Sequence, residues 1–286
     1  MSHAGTLEEV GEGMTDPVRA LTALVEGFSG TMGVWARSLQ TDEIIQVGAA
    51  EESFPSASTI KLAIFYEMMR QAGEGRLDLD EMRELRAEDK VPGCGVLRDL
   101  TPGIRLPLRD LATLMMTISD NTASNLCIDA VGIEAVNRAM DALGLTGLRL
   151  RWKFFGAPSG QPVNSAVPAQ LGRLMDLIVR REVLNPEACD RMLAVMKQVQ
   201  SPYAARYLPG ASQYDRLPDG PGPIIAAKFG SITGCRHEVG AVWKGGRGFV
   251  FCVMTKDCKD ERRIEDNEGV LAVGRAVEIL YRRFIG

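Results

Sequence analysis

Phe54-Pro55-Ser56-Ala57-Ser58-Thr59-Ile60-Lys61 is the stretch around which the rest of the chain can be organised. Beyond it Leu62, Phe65, Met68 and Met69 recur at helical spacing, so Ser58 stands at a strand-to-helix passage, at the start of a helix. Lys61 follows three residues later. Positions i and i+3 share a helix face, which puts the amine within reach of the hydroxyl. The start of a helix favours developing negative charge and offers a free backbone N–H to an oxyanion. A lysine serves as a base only when partly neutral, a state promoted by desolvation and by a second nearby cation. Taken alone, S-x-x-K is a weak signal, because serine is an ordinary N-cap.

Upstream, Val18, Leu21, Leu24, Val25 and Phe28 describe an amphipathic helix behind Pro17, and two β-type runs follow at 31–37 and 43–47 around a polar turn. Downstream, the patterns are almost entirely helical as far as Tyr207. Leu108, Leu111, Leu114, Met115 and Ile118 form one stripe, and the segments 121–131, 134–143, 168–181 and 186–200 continue the series. The Met68-Met69 and Met115-Met116 pairs fall on these stripes and read as core. The mixed-charge segment 78–90 reads as an exposed helix or connection. A Pro/Gly/Tyr-rich passage at 201–223 marks a domain crossing. Three β-type runs come next, 224–229, 238–243 and 248–254, and a last helix carries Val270, Val273, Val277, Leu280 and Phe284. Strands at both ends with helices between them predict a discontinuous sheet domain, 1–54 with 208–286, interrupted by an all-helical domain, 55–207.

Composition narrows the functional classes. The chain has 286 residues, 45% hydrophobic and 24% charged, as expected of a soluble globular protein of one or two domains. A net charge of -4 makes no broad case for nucleic acid or a membrane surface, and no apolar run approaches a membrane span. The opening MSHAGTLEEVGEGMTDP has neither a basic start nor an apolar core, which reads as cytoplasmic, or as periplasmic or secreted had a leader been removed. Cys94, Cys127, Cys189, Cys235, Cys252 and Cys258 form no CxxC pair and read mostly as buried free thiols. GxSxG, GxxxxGK[ST] and HExxH are absent, and the two histidines are His3 and His237, so a Ser-His-Asp triad would depend on His237 alone. No metal or cofactor is implied, and the expected partner is a small-molecule substrate of a monomer.

Two further motifs change the weight of S-x-x-K. Ser119-Asp120-Asn121-Thr122-Ala123 follows the 108–118 stripe, and Lys228-Phe229-Gly230-Ser231 ends a late β-type run. With S-x-x-K, S-D-N and a K-T-G-like element in this order, the chain resembles the class A β-lactamases and related penicillin-recognising active-site-serine enzymes. The stretches 119–126 and 131–150 are also similar, and KFGSITGCRHEVG at 228–240 resembles a strand-turn-strand of less-studied members. The resemblance implies an α/β fold of the α+β type. It comprises a five-stranded, mainly antiparallel sheet flanked by the terminal helices, an inserted all-α domain, and a site in the cleft between them. It implies that Ser58 attacks a carbonyl and becomes acylated, and that Lys61 accepts its proton or keeps the network poised. Ser119 relays a proton to the leaving nitrogen, and Asn121 binds the substrate amide and Lys61. Lys228 supplies positive potential near the substrate carboxylate, and the N–H groups of Ser58 and Ser231 form the oxyanion hole. Asp120 is expected to hold its loop.

Two departures qualify the resemblance. The loop that should carry a deacylating glutamate, 151–168, contains no Asp or Glu, and none occurs between Asp141 and Asp176. Asn164 matches the loop's asparagine, but an amide cannot be a general base. Losing that base removes about two to four orders of magnitude from a step, with Lys61 as the obvious substitute. Phe229 stands where the family usually has Thr or Ser, which points to a less charged or more aromatic substrate. Arg236 is a candidate for compensating carboxylate recognition, and His237 reads as structural. The reading is a serine β-lactamase-like hydrolase that opens a β-lactam or related cyclic amide, with slow deacylation. The alternatives are a carboxylesterase, a D-amino-acid peptidase or amidase, or a penicillin-binding protein that stays acylated.

Overall fold

Asp16 caps α1 (Pro17–Glu26) by accepting the Val18 N–H at 2.9 Å, with Pro17 at the first helical position. The computed structural model describes residues 16–211 and 222–286. His3 and the 212–221 part of the 201–223 passage therefore lie outside the described residues. From α1 the chain forms β1 (Thr31–Ser38), β2 (Ile44–Gly48) and β3 (Phe54–Pro55), then α2 (Lys61–Gly73), β4 (Met82–Glu84) and β5 (Arg105–Pro107). It continues through α3 (Leu108–Thr117), α4 (Asn121–Val131), α5 (Ile133–Ala142), β6 (Ser165–Ala166), α6 (Pro168–Val179) and α7 (Pro186–Met196). It closes with β7 (Ile224–Ile232), β8 (Cys235–Lys244), β9 (Arg247–Lys256) and α8 (Glu268–Phe284).

Five strands form one sheet in the order β2-β1-β9-β8-β7, and every pairing is antiparallel. Both faces are covered, and the alternation of side chains divides them between two cores. On one face Val34, Val242, Phe249, Phe251 and Val253 meet Leu21 of α1 and Val273, Val277 and Leu280 of α8. On the other, Ala226, Val239, Ala241, Val250, Cys252 and Met254 meet the helical segment that runs from α2 to α7. The expected terminal helices and five-stranded sheet are thus present. Met68, Met69, Met115 and Met116 are buried in the helical core. Five of the six cysteines are buried, and Cys94 is exposed.

The strands are longer than the apolar runs. β8 starts at Cys235 because Arg236, His237 and Glu238, which interrupt the apolar pattern, are all buried with hydrogen-bond partners. The segment 78–90 is a connection and not a helix. Its β4 pairs with β5 as a short hairpin, and Leu85 beside it is fully buried. The 3-10 turn Tyr203–Tyr207 packs on α8.

α6 approaches β1 and β9 closely because it carries Gly172, where an added Cβ would collide with the Trp35 ring. Gly172→Ala is accordingly expected to lower stability by about 1–3 kcal/mol through overpacking. The check is a fall in urea midpoint at constant slope; an unchanged midpoint would show that Trp35 can move aside.

Candidate active site

Ser58 lies in a 3-10 turn, Ala57–Ile60, that precedes α2 and places it just before the regular helix. Ala57 adopts φ +46°, a left-handed conformation that costs a non-glycine residue free energy and persists only where its surroundings impose it. Those surroundings are specific. Ser56 N–H donates to Asn164 O at 2.8 Å, and Thr59 Oγ1 donates to Ser56 O at 2.6 Å. His237, fully buried, accepts the Thr255 N–H on Nδ1 at 3.1 Å and so carries its proton on Nε2, which donates to Pro55 O at 2.7 Å. Burial holds its pKa down at about 4, so it stays neutral and ties the approach to Ser58 onto β8 and β9. Its structural role was legible; its partners were not.

Strand β7 is the edge of the sheet, and it runs against the Ser58 turn. A Cβ on Gly230 would come within 3.1–3.2 Å of Ser58 N, Thr59 and Ala57. Glycine lets the strand lie this close to the serine amide without displacing it.

Lys61 is fully buried at the base of this turn. Its Nζ lies 2.8 Å from Ser119 O, 3.0 Å from Ser119 Oγ and 2.9 Å from Asn121 Oδ1. Burial, and then the charge of Lys228, lower its pKa well below that of a free lysine. All three oxygens accept from the Lys61 nitrogen, which accounts for each of its N–H donors. The structure brings the Lys61 amine to Ser119 and Asn121; Ser58 meets Lys61 through the backbone, its carbonyl accepting the Lys61 N–H, and no bond joins the two side chains.

Ser119 is held at φ +60° by the residue after it. Asp120 caps α4 through Ala123 N at 2.9 Å and accepts Val96 N and Leu97 N, each at 2.8 Å. The expectation that Asp120 holds its loop agrees with these three bonds. Asn121 Nδ2 donates to Pro92 O at 3.2 Å, which orients Oδ1 toward Lys61.

Lys228 is also fully buried, and burial brings its pKa to about 7. Its Nζ donates to Phe229 O at 2.8 Å. Ser231 is partly buried, and its hydroxyl lies beside the Tyr203 phenol, whose pKa burial raises. Arg236 does not join the others. Nη1 donates to Ile232 O and Cys235 O at 2.7 and 2.8 Å, and Nη2 to Arg262 O at 2.7 Å, while its side chain packs at Gly269 of α8. Alternation along β8 turns it toward the α8 face, which corrects the expectation that it meets a substrate carboxylate.

Two residues escaped the sequence reading. The Phe154 ring lies 4.3 Å from Lys61 Nζ, and Phe155, at φ +62° and 63% exposed, packs on Gly93 at the rim. Asn125 and Asn164 set the loop by bonding the backbone of Phe154 and of residues Arg151 and Trp152. Two basic residues at the start of this loop are paired, Lys153 with Asp129 at 2.6 Å and Arg149 with Asp141 at 2.5 Å.

The model of the "Beta-lactamase enzyme family" matches residues 16–284. The chain belongs to that family. It is 25% identical over 262 residues to a β-lactamase of Streptomyces lavendulae, covering 89% of this chain and 83% of the relative. The fold is similar to the crystal structure of a β-lactamase from Sphaerobacter thermophilus, with TM-score 0.82, 31% identity and coverage of 93% and 95%. It is also similar to a leucine-to-glutamate variant of PBP-A in an acyl-enzyme complex with penicillin G, with TM-score 0.77, 27% identity and coverage of 93% and 95%. Family and neighbours together make this chain a serine β-lactamase-like hydrolase of small-molecule substrates. No helix among the described residues is long and apolar enough to cross a membrane.

Asp120→Ala removes a cap and leaves two further N–H groups without their carboxylate. It is expected to cost at least about 2 kcal/mol, read as a lower thermal midpoint. A midpoint within a degree of wild type would mean that water takes over all three bonds.

Proposed function

We propose that Ser58 is the nucleophile of this hydrolase and Lys61 its base, and that the acyl-enzyme, once formed, is hydrolysed slowly. The observation that carries the reading is the fully buried Lys61 amine, held by Ser119 and Asn121 at the foot of the Ser58 turn. Lys61, in the neutral form that its lowered pKa makes accessible, takes the Ser58 proton while Ser58 Oγ bonds the lactam carbonyl carbon. The oxyanion is received at the Ser58 amide and the edge of β7 at Ser231. The C–N bond then breaks, with Ser119 passing a proton from Lys61 to the leaving nitrogen and Asn121 holding the substrate amide. Lys228 supplies positive potential beside this path. The cleft so used lies between the proposed sheet unit, 1–54 with 208–286, and the proposed helical unit, 55–207.

Deacylation is the weak step. The loop position that faces Lys61 is occupied by the phenyl of Phe154, which can neither accept a proton nor orient a water. A β-lactam should give a burst of about one equivalent and then a slow steady state. Ser58→Ala should abolish the adduct seen by intact-protein mass spectrometry, and labelling that persists would place the nucleophile elsewhere. The site for a rescuing carboxylate is Phe154, whose ring faces the Lys61 amine. Phe154→Glu should speed the slow phase at least about tenfold and the burst less; equal effects on both would refute the assignment.

Because Lys61 must be neutral to act, acylation should rise with pH through its lowered pKa. The Lys228 charge is one cause of that lowering. Lys228→Met should raise the Lys61 pKa and move the acid limb of the acylation profile to higher pH. A limb that stays put or moves down would show that Lys61 is not the group titrating.

A further inference from the structure

Each ammonium of the site is capped by a phenyl ring. The Phe154 centroid lies 4.3 Å from Lys61 Nζ, and the Phe229 centroid lies 4.2 Å from Lys228 Nζ. Both amines are fully buried. The second cap is itself braced. Tyr203 packs on Phe229 with ring centroids 5.7 Å apart, and Tyr203 N and Ala204 N donate at 3.0 and 2.6 Å to Glu238, which pairs with Phe229 across the β7–β8 ladder. Lys228 meanwhile donates back to the carbonyl of Phe229, and Arg236 is spent on three carbonyls at the α8 side. Lys61 and Lys228 therefore face phenyl rings and uncharged oxygens, the Ser119 carbonyl and hydroxyl and the Asn121 amide for Lys61 and the Phe229 carbonyl for Lys228. At the opposite rim the exposed ring of Phe155 stands beside Asn121 and Gly93.

We propose that the substrate of this site is an uncharged lactam, a cyclic amide without a carboxylate, that carries an apolar or aromatic substituent. The inference rests on Ser58 acylation as described above and deepens it. A carboxylate brought to Lys228 must lose its water against the Phe229 and Tyr203 rings, a loss that needs a paired, hydrogen-bonding cation to offset it. Lys228 is a poor one, because its charge already rests on the Phe229 ring and burial holds its pKa near 7. A neutral substrate escapes that cost and gains apolar contact with both rims. Such a compound is the product of a cyclising amide synthesis, or of a reaction that esterifies or removes the acid, so one of those classes must supply it.

Benzylpenicillin and its methyl ester differ in this one charge. Their second-order acylation rates on the full chain at pH 8, followed by intact-protein mass spectrometry, should show the ester equal to or faster than the acid. The adduct should carry the full mass of the ester, the sign of lactam opening; that mass less methanol would mean attack at the ester and overturn the proposal. An acid more than threefold faster than its ester in the wild type would overturn it as well. Phe229→Thr should raise the acid-to-ester rate ratio at least tenfold, while Phe229→Leu, which keeps the strand apolar, should leave the preference with the ester. An unchanged ratio in a folded Phe229→Thr variant would remove Phe229 as the cause. Absence of any adduct with either compound, or an adduct that survives Ser58→Ala, would instead defeat the nucleophile assignment and the substrate inference with it.

Discussion

An ammonium group buried without compensation costs on the order of several kcal/mol even after the protein relaxes. Lys61 is buried completely, and much of the local architecture serves to make that tolerable. It takes a carbonyl, a hydroxyl and an amide oxygen from two residues of one loop. To present both its carbonyl and its hydroxyl, Ser119 accepts a left-handed backbone. To hold that backbone, Asp120 collects three backbone N–H groups from α4 and from the 96–97 turn. α4 therefore starts where it does because of a lysine on another helix. The cost that remains appears as a lowered pKa, which is what a base requires.

The Ser58 turn is positioned by different means. It is suspended between the helical segment and the sheet, with Asn164 holding Ser56 from one side and His237 holding Pro55 from the other. Gly230 then allows the edge strand to close on the serine amide. Strain at Ala57 persists because both anchors are buried or part of ordered backbone, so the turn has no cheap alternative. Position and protonation are thus set by separate groups of residues that meet only at the turn.

The same dryness shapes what the site can do next. Burial lowers the pKa of both lysines beneath these phenyl rings, and the Lys228 charge adds to the lowering at Lys61. Under the proposed mechanism Phe154 stands where a water-activating carboxylate would serve deacylation, so the acyl-enzyme forms more readily than it is discharged.

Helical and strand periodicity in the sequence was enough to place the terminal helices, the late strands and the helical segment between them. The spacing of Ser58 with Lys61, of Ser119 with Asn121, and of Lys228 with Gly230 marked the cluster, because each of those relationships is local along a turn or strand. Local patterns could not extend β8 through Arg236, His237 and Glu238, since polar residues become strand interior only when distant partners satisfy them. They could not choose a face for Arg236, which depends on the register of β8 within the sheet. They registered a missing carboxylate in the 151–168 loop but could not say which side chain fills its place, because Phe154 reaches Lys61 only after Asn125 and Asn164 fold the loop back. Motif and period are properties of neighbours in the chain. Burial, and with it the pKa of Lys61 and the aromatic caps, is a property of neighbours in space, and only the tertiary structure decides it.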